Sequence, residues 1–338
     1  MQKLIKRVII FLCPIFLLVI YVIIADFFKV FGYQDYYKKQ WVVLNREMVT
    51  TTTYNHFREE EKFNAFIFGS SRSQAFKCNE WKKYLNKTSK PFHFDAWSES
   101  IWGISKKIEY IDTLNDTIKH ALIILDRSIL SKTALNKTHL NIPMPCVSKK
   151  SKIQYYTTFL KASLHPKFLL AHTDFSINKK HRKYMGTMIY NTTFRDSVNK
   201  KNCDIWYGFD KEIAIDSVTY YKERIGNKVF KTVALEKIKE SKVSEAEVNQ
   251  LQYIKHMFTK HRTNYKIIIS PIFDKIPLEE EQINLLNNIF GKSNVYNFSG
   301  QNNFTDNIYN YYEASHFRPH VADSILKIIY NKTKSNKI

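Results

Sequence analysis

Two short segments near opposite ends of the chain carry side chains that together could perform nucleophilic catalysis. In the first, an apolar run at 65–68 stops at Gly69-Ser70-Ser71. This pattern predicts a strand, a tight turn and a helix start, where free backbone N–H groups and the helix dipole favour developing negative charge. A serine in such a turn is suited to attack a carbonyl carbon, but serine is also a favoured N-cap residue, so capping is the alternative.

The second segment supplies a base and a carboxylate. Glu313 and His316 lie three residues apart, just before Pro319, which is placed to begin the last helix. A histidine near a helix start at the end of an α/β domain can reach over the sheet edge to the first strand, and a nearby carboxylate can orient its imidazole. The alternative is a loop histidine and glutamate that are exposed to water.

The amino-terminal segment predicts a membrane anchor. Residues 8–25 are uncharged, and as a helix they would span roughly 27 Å, enough for a bilayer core. Lys3, Lys6 and Arg7 precede this run, so the positive-inside bias keeps the amino terminus in the cytoplasm and places the chain from about Asp26 outside. A cleaved signal peptide fits less well, because the run is long and no Ala-x-Ala-like site follows it.

The charge of the chain is strongly basic and unevenly placed. Lys and Arg number 52 against 31 Asp and Glu, for a net charge of +21, and the stretch 127–242 holds 23 basic and 9 acidic residues. Such a balance is typical of proteins with anionic partners, although a solvated lysine-rich surface is the simpler explanation. Since the domain is expected outside the cytoplasm, we exclude nucleic acid as a partner.

The four cysteines predict neither a disulfide framework nor a metal site. Cys13 lies in the apolar segment, and Cys78, Cys146 and Cys203 show no CxxC motif or paired-ligand spacing. A bridge between Cys146 and Cys203 can form in an oxidising compartment, but spacing alone cannot establish it. We expect no metal and no cofactor.

Alternating strand and helix patterns predict an α/β domain. Buried strands are indicated at 65–68, 92–97, 121–125, 265–269 and 294–298, each followed by a helical pattern. The alternation stops after Ser128 and resumes at Ser244-Glu245-Ala246-Glu247, a capping-box sequence. This order predicts an open, doubly wound sheet of five mainly parallel strands, whose functional residues lie beyond the carboxyl ends of the strands.

The same patterns divide the chain into four parts. We expect a basic tip and anchor at 1–28, a membrane-proximal linker at 29–62, an α/β domain formed by 63–128 and 244–331, and an insertion at 129–243. The insertion shows helical fragments and aromatic, basic segments instead of aliphatic strands. It is expected to be mostly helical and to act as a lid or a partner-binding element.

At the motif level the sequence resembles the SGNH/GDSL hydrolase superfamily, and within it the membrane-anchored branch that includes the D-alanyl-lipoteichoic acid and alginate O-acetylation proteins. Gly69-Ser70-Ser71 is similar to the Gly-Asp-Ser or Gly-Ser-Ser turn of that family, and Glu313-Ala314-Ser315-His316 is similar to its Asp-x-x-His motif. The resemblance covers 63–128 and 244–331, and it implies a three-layer α/β/α fold of the flavodoxin-like, SGNH type.

The resemblance also implies roles for individual residues. Ser71 would be the nucleophile, His316 the base and Glu313 the residue that orients the imidazole. The turn with Ser98, Ser100 and Gly103 lies where the family has a backbone donor to the oxyanion, and Gly69 begins the nucleophile turn.

Two further residues near the expected site leave alternatives open. Asp126 stands where the third block of the family has an asparagine, and its carboxylate would repel an oxyanion unless Arg127 pairs with it or it faces elsewhere. Arg72, beside the nucleophile, is either a contact for a substrate anion or a surface residue.

The function implied is that of an extracytoplasmic, membrane-anchored acyl esterase or O-acyltransferase. Its substrate would be an acylated cell-envelope glycan or a lipid-linked glycan, and a membrane O-acyltransferase is an expected partner. The alternative is a non-catalytic protein of the same fold that binds a glycan or serves as a scaffold for a membrane acyltransferase. A serine–histidine separation above about 6 Å would favour that alternative.

Overall fold

The computed structural model of the protein describes residues 1–34, 36, 40–189, 195–202, 204–206, 208–230 and 243–335. Its α-helices are α1 (Gln2–Ala25), α2 (Arg46–Glu61), α3 (Cys78–Lys82), α4 (Ile101–Thr113), α5 (Arg127–Leu130), α6 (Pro145–Ser148), α7 (Lys152–Ser163), α8 (Pro166–Asn178), α9 (Gly208–Gly226), α10 (Glu245–Lys260), α11 (Glu280–Phe290) and α12 (Pro319–Ser335). Its strands are β1 (Ala65–Gly69), β2 (Pro91–His93), β3 (His120–Leu125), β4 (Arg195–Val198), β5 (Asp204–Trp206), β6 (Asn264–Ile269), β7 (Val295–Asn297), β8 (Tyr311–Glu313) and β9 (His316–Phe317).

Five of these strands form one parallel sheet. Their order is β2-β1-β3-β6-β7, and the register pairs Gly69 with Ile124 and Leu125 with Ile269. The carboxyl ends of β1, β3 and β6 therefore meet at one edge of the sheet, which we call the carboxyl edge. The predicted five-stranded parallel sheet is confirmed.

Helices cover both faces of this sheet. Phe66, Phe68 and Ile123 pack against α2, α4, α10 and α11 on one face, whereas Ile67 and Ile124 pack against α3 and α12 on the other. Because side chains alternate between the faces of a strand, each strand contributes to both cores. The three-layer α/β/α arrangement is confirmed.

Helix ends follow the predicted signals. The Ser244 side chain accepts from the Glu247 N–H at 3.1 Å, so it caps α10, and Pro319 is the first residue of α12. Two elements are shorter than predicted. The region after β1 is a turn of 3₁₀-helix (Ser71–Ala75) followed by the five-residue α3, and β2 ends at His93, although the Phe94 N–H still donates to Ile67 at 2.8 Å.

The predicted linker at 29–62 contains the 16-residue helix α2, which the sequence did not predict. The Asn45 side chain caps it by accepting from the Met48 N–H at 2.9 Å. Nine consecutive residues from Arg46 to Tyr54 are buried, several of them threonine or charged. Such a polar sequence lacks the apolar periodicity that marks a packed helix, and this is why it was missed.

The described part of the insertion is mostly helical. It comprises α5–α9 and an antiparallel hairpin of β4 and β5. Among the described residues, Cys78 and Cys146 form no disulfide bond. Cys203, the other residue of the bridge considered above, lies outside the described residues.

The helix α1 is long and apolar enough to cross a membrane, and most of its side chains are exposed. These properties are consistent with a single-pass anchor. The α7 helix packs against its end through a cluster that includes Val22 and Phe28.

Candidate active site

The turn after β1 depends on Gly69. Its φ is +156°, and a Cβ at this position would lie 2.9 Å from both the Ile124 carbonyl oxygen and the Ser73 Cβ. Any side chain would therefore push β1 away from β3 or from the following turn. Only glycine lets the chain turn here, and the turn sets Ser71 at the carboxyl edge, at the first position of the 3₁₀ turn.

Glu313 and His316 lie on a short antiparallel hairpin, and their Cα atoms are partners across it. The buried Tyr311 and Phe317 hold the hairpin to the core, and the Phe317 ring lies edge-on to Phe76, with 6.0 Å between ring centroids. Because α12 begins directly after the hairpin, the positions of both polar side chains are determined by packed elements.

The structure brings the three predicted residues together. Ser71 Oγ lies 2.7 Å from His316 Nε2, and His316 Nδ1 is hydrogen bonded to Glu313 Oε1. Glu313 Oε2 accepts from the Ser315 N–H at 2.9 Å. Because an ionised carboxylate only accepts, a neutral imidazole carries its proton on Nδ1 and presents Nε2 as acceptor to the serine hydroxyl.

The electrostatics of the site favour an ionised Glu313. Burial opposes ionisation, but the hydrogen bond and charge of His316, the Ser315 N–H and the nearby charge of Arg72 together lower the pKa of Glu313. A carboxylate beside the imidazole stabilises the imidazolium that forms when the histidine takes a proton.

Arg72 pairs with Asp126, an arrangement that the sequence analysis did not include. Its Nη1 lies 2.8 Å from Asp126 Oδ2, and its Nε donates to the Ser315 carbonyl at 3.0 Å. Arg127 pairs instead with Asp274 at 2.8 Å. The Arg72 side chain is 17% exposed, and it links the ends of β1 and β3 to the Glu313–His316 hairpin.

The Asp126 carboxylate faces its own helix as well as Arg72. Its Oδ1 accepts from the Ser128 N–H at 2.7 Å and from the Ile129 N–H at 3.1 Å, which caps α5. Asp126 also accepts from the Ser128 hydroxyl at 2.6 Å, so one ion pair and three hydrogen bonds stabilise this buried carboxylate. This explains how a carboxylate can stand near the site without meeting an oxyanion unpaired.

The turn after β2 uses two of its backbone amides internally. The Gly103 N–H donates to Ser100 Oγ at 2.9 Å, and the Ser100 N–H donates to Glu99 Oε1 at 2.8 Å. A Cβ on Gly103 would overlap the Glu99 carboxylate, so a side chain there would displace Glu99 from its present position. Ser98 is exposed with φ +50°. Within the described part of the chain, no hydrogen-bond partner is found for the Ser71 N–H, so this amide is available to donate to an oxyanion.

A second serine–histidine pair, which the sequence analysis did not identify, lies behind the first. Ser73 Oγ is 2.9 Å from His93 Nε2, and both side chains are buried. Nearby, Arg46 makes a buried bidentate ion pair with Asp95, which also accepts from Gln74 at 2.8 Å. The sequence signal for this second site is the pair of polar residues, His93 and Asp95, at alternate positions near the end of a buried strand.

Helix α9 of the insertion contacts the hairpin that carries Glu313 and His316. The Tyr220 hydroxyl donates to the Tyr312 carbonyl at 2.9 Å, and the Tyr221 hydroxyl donates to the Tyr311 carbonyl at 3.0 Å. The Tyr312 hydroxyl in turn donates to Asp210 at 2.7 Å. These contacts position the strand that carries Glu313.

Among the residues that the structure describes, no group of three or more His, Cys, Asp or Glu side chains could hold a metal ion. The chain matches no protein-family model, and comparison with curated proteins finds no similar protein. The relation to the SGNH/GDSL superfamily therefore remains a resemblance of motifs.

Proposed function

We propose that the protein is a membrane-anchored serine esterase or O-acyltransferase that acts on an acylated cell-envelope glycan or a lipid-linked glycan. The observation that carries this proposal is the hydrogen-bonded series from Ser71 through His316 to Glu313. A nucleophile within reach of a base that a carboxylate orients is the arrangement that acyl transfer requires. The short serine–histidine distance favours it over the non-catalytic alternative.

The reaction follows from the proton positions. Ser71 Oγ attacks the acyl carbonyl carbon while its proton passes to His316 Nε2, and the Ser71 N–H is placed to stabilise the oxyanion. The ester C–O bond then breaks, and the leaving alcohol takes the proton from His316. Water or an acceptor hydroxyl attacks the acyl-serine, gives its proton to His316, and the acyl–serine bond breaks as Ser71 regains its proton.

The position of the site supports a substrate near the membrane. α2 begins at the carboxyl edge, where Arg46 pairs with Asp95, and ends at the opposite edge, where Arg58 pairs with Asp116 at 3.0 Å. The end of the anchor is close to the start of α2, because Phe28 contacts His139, whose carbonyl accepts from the Asn45 side chain at 2.8 Å. Ser71 lies at this same edge.

We further propose that the domain faces the outside of the cytoplasmic membrane. Lys3, Lys6 and Arg7 precede α1, and basic residues next to a span favour the cytoplasmic side. An acylated glycan of the envelope is accessible there, and a membrane O-acyltransferase is the partner that would supply or use the acyl group.

The test is the turnover of an activated acetyl ester by the full chain, with Ser71→Ala compared against Ser70→Ala. Ser70 is the matched control, because its hydroxyl is buried and has no described partner. We expect Ser71→Ala to lower kcat/KM by at least about 10³-fold and Ser70→Ala to change it less than about threefold. A fluorophosphonate should label the wild type and Ser70→Ala but not Ser71→Ala.

Equal turnover in the wild type and Ser71→Ala, or labelling that persists without Ser71, would contradict the mechanism. Envelope-glycan binding by a wild-type protein that turns over no ester would favour the non-catalytic alternative.

A further inference from the structure

Helices α7 and α8 pack on the residues that directly follow the anchor. The Phe27 ring lies 5.6 Å from the Phe168 ring, and Phe28 lies 5.1 Å from Phe168 and 5.8 Å from Phe159, between ring centroids. Because α1 ends at Ala25, these rings follow the membrane span by two or three residues. A bilayer around α1 would therefore have its surface at the level of this helix pair.

The outer side of the pair exposes large apolar side chains. Ile153 is 77% exposed and Tyr156 is 44% exposed on α7, and Leu170 and Ile177 are 61% and 74% exposed on α8. The spacing of seven residues places Leu170 and Ile177 on one side of α8, away from the buried Phe168. Ile153 and Tyr156, three residues apart, are neighbours on α7. Single exposed apolar residues are ordinary, but four on two neighbouring helices form a surface that water does not favour.

The same segment is strongly basic. Residues 149–183 contain nine Lys and Arg and one acidic residue, Asp174, which pairs with Arg182 at 2.7 Å. Lys152, Lys161 and Lys167 are exposed, and within the described chain no carboxylate pairs with them. A helix surface that combines exposed apolar residues with unpaired lysines fits the boundary between anionic headgroups and acyl chains.

A groove between the end of α1 and α7 points to the same environment. It has a volume of about 240 Å³ and is lined mainly by apolar side chains. The lining includes Val22, Ile23, Phe28, Phe31, Tyr156 and Leu160. Since Ile23 also belongs to the exposed surface of α1, the groove is continuous with the surface that would contact lipid tails.

From these observations we propose that α7 and α8 dock on an anionic lipid surface, namely the headgroup region of the bilayer that α1 crosses. Leu170 and Ile177 enter the headgroup boundary, and Lys152, Lys161 and Lys167 contact lipid phosphates. This proposal rests on α1 as a membrane anchor and is independent of the reaction proposed for Ser71.

The test measures the depth of single fluorescent labels on the full chain in lipid nanodiscs. Cys13, Cys146 and Cys203 are changed to alanine, and the buried Cys78 is kept. A label is then placed by Leu170→Cys, by Ile177→Cys, or by Thr117→Cys as control. Thr117 is exposed next to Asp116, at the sheet edge opposite to the start of α2. Lipids that carry a quencher near the headgroup report contact.

In nanodiscs with phosphatidylglycerol, we expect the labels at 170 and 177 to be quenched at least threefold more than the label at 117. In phosphatidylcholine alone, or after the double change Lys161→Glu with Lys167→Glu, the quenching at 170 and 177 should fall at least twofold. These shifts should occur equally in Ser71→Ala, because docking does not need the nucleophile.

Three results would overturn the proposal. The first is quenching at 170 and 177 no greater than at 117. The second is equal quenching with neutral and anionic lipid, which would remove the electrostatic contact. The third is a label shielded from water but not reached by quencher lipids, which would show that a protein partner or a second copy covers the helices.

Discussion

Ser71 and Ser73 are two residues apart, and each hydroxyl lies within hydrogen-bond distance of an imidazole, 2.7 Å for His316 and 2.9 Å for His93. Their proton positions are nevertheless opposite. Ser73 Oγ donates to the Ser70 carbonyl at 2.7 Å, so it can only accept from His93 Nε2. His93 therefore carries its proton on the nitrogen that faces the serine, whereas His316 presents a free lone pair there.

The carboxylates near the two pairs also differ in their partners. Glu313 binds the imidazole of His316, but the nearby Asp95 is taken by Arg46 and Gln74. The first pair is partly exposed and the second is buried. The comparison teaches that a short serine–histidine distance is not sufficient for a nucleophile, because the donors and acceptors around the pair decide which way the proton can move.

The most direct way to break this comparison is to make the same substitution in both pairs. A glutamine amide can replace the N–H that His93 donates to Ser73, but it cannot accept a proton as His316 must. We expect His316→Gln to lower kcat/KM for an activated ester by on the order of 10³–10⁴, and His93→Gln to lower it by less than about tenfold.

Steady-state kinetics and near-UV circular dichroism on both variants check this prediction. Comparable losses of turnover in two well-folded variants would mean that the buried pair also takes part in the reaction, and the distinction between the pairs would fail.

A second prediction concerns the buried carboxylate. Burial opposes ionisation of Asp95, but the charges of Arg46 and His93 and hydrogen bonds from Arg46 and Gln74 hold its pKa well below the ordinary value. Asp95→Asn removes the carboxylate that pairs with the buried Arg46, which should cost about 3–5 kcal/mol of unfolding free energy. Turnover per folded molecule should change little, because Asp95 does not contact the imidazole of His316 or Ser71.

Urea unfolding measures this cost, with Asp306→Asn as the control. Asp306 pairs with Lys275 at 2.6 Å in a solvent-exposed position, where an ion pair contributes about 0–1 kcal/mol. A similarly small loss of unfolding free energy in both variants would contradict the role of Asp95 in holding α2 through Arg46.

The parts of this architecture that the sequence predicted depend on local signals. Apolar runs mark the five strands, Gly69 marks the turn before Ser71, and Pro319 marks the helix after His316. Each of these signals lies within a few residues of the element it predicts. The parallel sheet then places Ser71 at its carboxyl edge. His316 lies on the separate β8–β9 hairpin, and the packing of Tyr311 and Phe317 in the core brings it to the same edge.

The missed parts depend on pairings between distant residues. Arg46 and Asp95 are 49 residues apart, and Arg72 and Asp126 are 54 apart, so neither ion pair leaves a local pattern. For the same reason α2 looked like a linker, because its buried face is polar and is satisfied by partners elsewhere in the chain. The turn with Gly103 looked like an oxyanion donor, whereas the Gly103 N–H donates to Ser100 Oγ and Gly103 packs against the Glu99 carboxylate.

The smallest expected effect concerns Glu47, which follows Arg46 on α2 and is buried near the Ser73–His93 pair's neighbours Arg46 and Asp95. Lys107 Nζ lies 3.0 Å from Glu47 and also pairs with Glu99, so one buried ammonium faces two carboxylates. Burial raises the pKa of Glu47 from 4.5 to about 8, because the charge of Lys107 only partly offsets it and Glu99 and Asp95 repel a second carboxylate.

This shift predicts how stability depends on pH. Between pH 4.5 and about 8 the folded protein holds a proton that the unfolded chain has released, so the unfolding free energy falls as pH rises, by at most about 1.4 kcal/mol per unit. Glu47→Gln removes that proton exchange and should flatten the decline between pH 5.5 and 7.5, whereas Glu223→Gln, on the exposed surface of α9, should leave it unchanged. Urea unfolding across this range is the measurement, and an unaltered slope in Glu47→Gln would mean that Glu47 is ionised beside Lys107. The Lys107 cluster has two carboxylates for one cation, whereas Asp95 is paired with Arg46. This excess of carboxylates would make the stability contributed by the Lys107 cluster depend on pH near neutrality, while the Arg46–Asp95 pair stays ionised.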